Sequence, residues 1–281
     1  MVFTKKLALW LTAALLVMVM SAVAFAEQGT VDWSKGVVRA TGIGAGKASF
    51  RTKNPGVYRA QAKRAAIMDA QRNLAETVKG VRVTSDSTME DMILQSDVVR
   101  TRVDAIIKGM SEVSSQFYED GTYEVVLEMP LFGAEESLSE AAFIPFKDEP
   151  KISFPQPVDV TIINQPTVVN NNYTGLIIDC RGMNINCVMS PVIKNANGQA
   201  IYGHENLDYD KIIVNGMASY ADSASDSISR SRAGSNPLVV KAVSLSDLNA
   251  NPVVSTADAD KILAANQHDG FLNNCAVVFV K

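Results

Sequence analysis

Residues 39–50 read RATGIGAGKASF, with Gly42, Gly44 and Gly46 at alternate positions and Lys47 behind them. If this stretch cradles a phosphate, the chain has a nucleotide-binding fold. If it does not, the glycines punctuate a different one. A P-loop separates two glycines by four residues and follows them with Lys and a hydroxyl residue. Here position 41 is Thr41, and Lys47 is followed by Ala48. The spacing G-x-G-x-G also misses the dinucleotide fingerprint by one residue. Asn54 and Pro55 mark a later helix start, so no helix dipole faces the glycines. The stretch reads as a flexible crossover turn after a first strand, VVRAT, with Lys47 solvated.

On either side of it, residues 36–132 form a unit. A helix starting near Pro55 and ending at Gly80 places Ala60, Ile67, Ala70, Leu74 and Val78 on one face. Asp69, Arg72, Glu76 and Lys79 share the other, and the Lys63 stem snorkels at the boundary. VRVTSDSTM reads as a strand. Met92, Val99, Val103, Ile106 and Met110 then define a second amphipathic helix. Two strands follow around Asp120 and Gly121, with Tyr123, Val125, Leu127 and Met129 facing one way and Glu124 and Glu128 the other. The fold class is α+β, with two helices packed on one small, mainly antiparallel sheet, followed by a second β-rich α+β domain.

The chain begins with Lys5 and Lys6, an apolar run and the small residues Ala24 and Ala26. This pattern predicts a secretory signal peptide over residues 1–26, cleaved after Ala26, with a retained membrane anchor as the alternative. No cysteine follows the small residues, so no lipid anchor is expected. The full chain carries a net charge of −4. Loss of the two lysines takes the mature chain to about −6, which suits a soluble exported protein and argues against nucleic acid as a partner. Arg59, Lys63, Arg64 and Arg72 form no single stripe and are not interleaved with stacking aromatics.

Residues 133–172 are rich in proline and asparagine towards their end and read as an extended linker able to contribute an edge strand. The second domain, 173–281, offers GLIIDC, KIIVNGMASY, PLVVKAVSL and CAVVFV as strands and an Asn197–Gly198 hairpin turn. Serine-rich ADSASDSISRSRAGSN reads as a flexible surface loop. Ser255 and Asp258 sit at capping-box spacing before a short helix.

No catalytic set emerges. His204 lies near Glu205, Asp208 and Asp210, the residue types that hold a hydrolytic metal. No second histidine stands at ligand spacing, so these four remain candidates only and no metal site or cofactor is assigned. His268 reads as a residue interacting with helix-terminal carbonyls. Cys180 and Cys187 are spaced to close a short loop after export, leaving Cys275 free. Cys180 with Cys275 is the other pairing, and spacing does not choose between them.

The order VVRATGIGAG, then AAIMDAQRNLAE running into GVRV, then TRVDAIIKG ending in an acidic-glycine hairpin, resembles the LPP-twenty family of bacterial envelope lipoproteins. It also resembles the related amino-terminal domain of flagellar assembly protein T. The resemblance covers Val37 to Leu131 and implies a small α/β domain, export to the cell envelope and no catalytic residues. The stretches GLIIDCRGMNINCVMSPVI and STADADKILAANQHDGFLNNCAVVFVK resemble carboxy-terminal extensions of some family members. The function expected is a non-enzymatic envelope protein, periplasmic or envelope-bound, that binds other envelope proteins as a structural or assembly component. Flagellar outer structures are among the partners the resemblance implies. A flagellar accessory role and an exported metal-dependent hydrolase using the His204 cluster are the alternatives. Oligomeric state is not encoded legibly.

Overall fold

The computed structural model describes residues 28–46, 54–133, 135–157 and 172–281. The leader, Lys47 and the expected edge strand around 158–171 lie outside the described residues. The first sheet has the order β1-β2-β4-β3, all antiparallel, from β1 (Gly29–Asp32), β2 (Val37–Ala45), β3 (Glu112–Phe117) and β4 (Thr122–Pro130). Helix α1 (Pro55–Lys79) lies across one face. Asn54 is its N-cap, accepting from Gly56 N, and Pro55 occupies the first turn as the sequence predicts.

TGIGAG is not a turn. It continues β2 to Ala45, with Gly42 opposite Val125 and Gly44 opposite Tyr123. The helix-facing residues of β2 shrink from Val38 through Ala40 to Gly42 and Gly44. A Cβ at Gly42 would overlap Ala70 N and Ala66 O, and one at Gly44 would overlap Ala62 O and Ala66 N. Ala62, Ala66 and Ala70 present the matching small face of α1, with Leu74 and Val78 beyond them. The buried face is therefore rotated from the expected one: Ala60 is exposed and Ile67 only half-buried. Helix and strand backbones meet because neither has side chains between them.

Residues 81–89 do not form the expected strand. Val81 and Val83 are buried, but the pairing is one isolated bridge, Arg82 with Thr88, closed by a turn at Thr84–Ser87. The second helix is divided into α2 (Met89–Gln95) and α3 (Asp97–Gly109). Ser96 is extended and caps α3 by accepting from Val99 N, while Thr88 and Asp91 make a capping box on α2. The β3–β4 hairpin forms as expected, burying Tyr123, Val125, Leu127 and Met129.

The segment expected to be an extended linker is partly helical. Helix α4 (Leu138–Ala142) and a 3-10 turn (Ile144–Phe146) bury Leu138, Ala141, Ala142 and Phe143. Beyond it, four parallel strands make a sheet in the order β8-β12-β5-β9: β5 (Gly175–Asp179), β8 (Ser219–Ala221), β9 (Pro237–Lys241) and β12 (Val277–Val280). A second, mixed sheet runs β10-β11-β6-β7: β6 (Ile193–Asn195), β7 (Ala200–Tyr202), β10 (Ser244–Ser246) and β11 (Asn251–Val254).

KIIVN belongs to helix α5 (Tyr209–Asn215), not to a strand, and the serine-rich stretch contains helix α6 (Ser227–Ala233). Helix α7 (Thr256–Asp269) is capped by Ser255, which accepts from Asp258 N. The inner strands β5 and β12 are buried on both faces, as parallel strands flanked by helices must be. Under α6, Ile177, Val278 and Val280 form a small cluster with Ala221 and Ala233. The opposite face joins a core that runs without interruption into the first domain.

Candidate functional site

The His204 group does not converge. His204 Nε2 lies 3.2 Å from Glu149 Oε2, and its ring packs 4.7 Å from that of Phe146. Asp208 is the N-cap of α5, accepting from the backbone N of Asp210 and Lys211. Glu205 O accepts from Ile152 N at 2.7 Å, and Asn206 Nδ2 donates to Ile152 O at 3.3 Å. These residues clamp the 146–152 segment onto the second domain. A cavity of about 200 Å³ opens there, and its lining carries no serine, threonine or cysteine to act as a nucleophile. Among the described residues no three His, Cys, Asp or Glu side chains are placed to hold a metal. His268 pairs with Asp269 at 2.6 Å rather than with helix-terminal carbonyls, and the other Asp269 oxygen accepts from Tyr173 N.

Cys180, Cys187 and Cys275 stand as free thiols in the structure. Cys180 and Cys275 are buried and Cys187 half-buried. Burial pushes the Cys180 thiol up to about 12 and the Cys187 thiol up to about 11. Disulfide exchange requires a thiolate, and desolvation withholds it here.

Contacts between the two domains are many and specific. Ser139 Oγ donates to Ile213 O at 2.8 Å, and Gly133 N donates to the same carbonyl at 3.0 Å. Met189 N and Ser190 N donate to Arg82 O and Val83 O, so the 81–89 turn is a docking surface for the second domain. Trp33 stands edge-on to Tyr220 at 5.7 Å, and Phe132 lies against Gly216. Arg232, within the stretch expected to be a loop, donates to Asn215 O and Gly216 O. The residue signal for that helix was Asp226, which caps it by accepting from Ser229 N at 2.7 Å.

At the edge of the first sheet β3 is exposed along its whole length. Val113 is 52% exposed beside a bulge at the start of β3, and Phe117 and Tyr118 are exposed at its other end. Phe117 is held by the Arg59 guanidinium at 5.1 Å and by the ring of Tyr123. A strand edge with unpaired backbone groups and apolar side chains can accept another strand.

Among the described residues no helix is long and apolar enough to cross a membrane. No curated protein matches the chain. Residues 38–129 match the family model of the LPP20 lipoprotein, and residues 175–281 match that of the second domain of Treponema pallidum Tp0624. The chain thus joins a domain similar to the LPP20 lipoprotein to one similar to the second domain of Treponema pallidum Tp0624.

Proposed function

We propose that this protein is an exported, non-enzymatic component of the bacterial cell envelope that works by binding other envelope proteins through the open edge of β3. The LPP20 match over residues 38–129 carries the envelope assignment. The exposed Val113, Phe117 and Tyr118 support the binding role. In this reading the leader is removed after Ala26 and no lipid anchor is added. Mass spectrometry of the protein isolated from envelopes tests both points: a first residue of Glu27 with no acyl mass is expected, and a lipid adduct or a retained leader would contradict it.

The binding role is tested by affinity purification from solubilised envelopes, comparing the native chain with Val113→Lys, which puts a charge on the edge. A partner recovered with the native chain and lost with the variant supports the reading. Recovery of the chain in the cytoplasmic fraction, or identical recoveries from both proteins, would overturn it. A deletion strain scored for envelope morphology and swimming decides whether the assembly served is flagellar.

A further inference from the structure

Two adjoining hollows lie where the β1–β2 turn of the first domain meets α5, β8 and α6 of the second. One, of about 680 Å³, is lined by polar residues that include Ser34, Asn215, Ser219, Ser231 and Arg232. The other, of about 280 Å³, shares four of these and reaches Trp33 and Lys35. Neither lining contains an aspartate or a glutamate, and its only charged groups are Arg232 and Lys35. Lys35 is paired with Asp32 at 3.2 Å. The carboxylate bordering Ser227, that of Asp226, is engaged in capping α6 and in accepting from Asp222 N and Ser223 N.

Among the described residues Arg232 has no carboxylate partner. Its guanidinium donates to the carbonyls of Asn215 and Gly216, the latter at 2.5 Å, and its Nε, buried behind the cleft wall, has no hydrogen-bond partner. The C-terminus of α5 offers it at most about half a unit of negative charge. Burial works against the charged guanidinium. Arg232 is half-buried in the wall of the cleft, and a bound anion offsets the partial desolvation of its guanidinium. The surrounding hydroxyls and carboxamides supply neutral donors for anion oxygens, and no carboxylate in the lining opposes an anion.

We infer that this interdomain cleft binds a small oxyanion, the carboxylate or phosphate group of an envelope solute, with Arg232 as the charged donor and Ser34, Ser219 and Ser231 as hydroxyl donors. The inference does not rest on partner binding at β3. Because the lining comes from both domains, a bound anion ties them together and raises stability by mass action.

Titration of the isotopically labelled mature chain with sodium phosphate and, separately, sodium acetate, each against sodium chloride of equal ionic strength, tests it by NMR. Saturable shifts of the Asn215, Ser219 and Ser231 amides are expected with at least one of the two, and which one responds identifies the headgroup. Ser231 is exposed on α6. Ser231→Glu therefore places a carboxylate at the cleft without removing the Arg232 bonds, and weakens the apparent Kd by about tenfold or more. Arg232→Met abolishes saturation. Should that variant lose its circular dichroism, Ser231→Glu alone decides. Shifts that never saturate, shifts reproduced by chloride, or equal affinity in Ser231→Glu would each overturn the inference.

Discussion

Gly42 and Gly44 lack side chains because the backbone of α1 occupies the space where a Cβ would stand. Gly42→Ala forces Ala66 and Ala70 away from the strand, an overpacking with no flexible atom to yield. A loss of about 3 kcal/mol or more is expected in urea unfolding; a change near zero would show that the helix rides higher on the sheet. At Asp247, Leu248 and Asn249 three consecutive residues have left-handed φ values of 49°, 53° and 61°. The Asp247 carboxylate fixes this turn, accepting from Lys194 at 2.6 Å, Asn251 at 2.8 Å and Ser246 at 2.9 Å. These donors hold its pKa at about 2 against an ordinary 3.8. The folded value lies below the unfolded one, so its stabilisation is present above about pH 4 and is lost as pH falls through about 2. Asp247→Asn should flatten the fall in unfolding free energy across that window, leaving the part due to the other lowered carboxylates, among them Asp179, which Arg181 also holds at about 2. Equal slopes for the two proteins would remove Asp247 from the account. The thiols make a further test: three reactive groups per chain after unfolding, and slow reaction before it, are expected with a thiol reagent. Only one thiol in the unfolded chain would mean that a disulfide forms.

At the scale of elements, the edge of β2 explains two polar residues on α1. β1 pairs with β2 only as far as Ala40, with one further bond from Thr41 N to Gln28 O. Past that point Asn73 Nδ2 donates to Thr41 O at 2.8 Å, and Asp69 Oδ2 accepts from Ile43 N at 3.0 Å. The helix thus completes the hydrogen bonding that the short strand leaves open. Asn73→Ala would strand the Thr41 carbonyl at a cost of about 1 to 3 kcal/mol, measured by chemical denaturation; a neutral result would mean that water replaces the amide. The two helices missed in the second domain share one frame. Asp208 caps α5 and Gly216 closes it; Asp226 caps α6 and Gly234 closes it. Both closing glycines have positive φ, 71° and 75°. Those caps were legible. Seven-residue helices give too few turns for an apolar period to be read, and IIV inside α5 resembles a strand.

For the whole molecule, the seam matters most. One core passes from α1 and β4 through α4 to Tyr202, Tyr220 and Phe279. Domains joined by a continuous apolar core and by bonds such as Ser139 to Ile213 have little reason to unfold separately. Urea transitions followed by far-ultraviolet circular dichroism and by the fluorescence of Trp33, at the seam, should coincide. An earlier fluorescence transition would show that the domains part before they melt.

The sequence by itself determined the outline of the first domain. The helix start at Asn54 and Pro55, the alternation from Tyr123 to Met129 and the Asp120–Gly121 turn are local patterns, and local patterns survive folding because the backbone period imposes them. It also showed that TGIGAG is no phosphate loop. Tertiary structure alone decided that these glycines lie inside a strand, since their cause is a helix backbone distant in sequence. It alone set the parallel order β8-β12-β5-β9, made 81–89 a docking turn and gave His204 a structural partner in Glu149. It alone left Arg232 without a carboxylate among the described residues, because whether a charge is paired depends on which residues meet in space and not on those beside it in the chain.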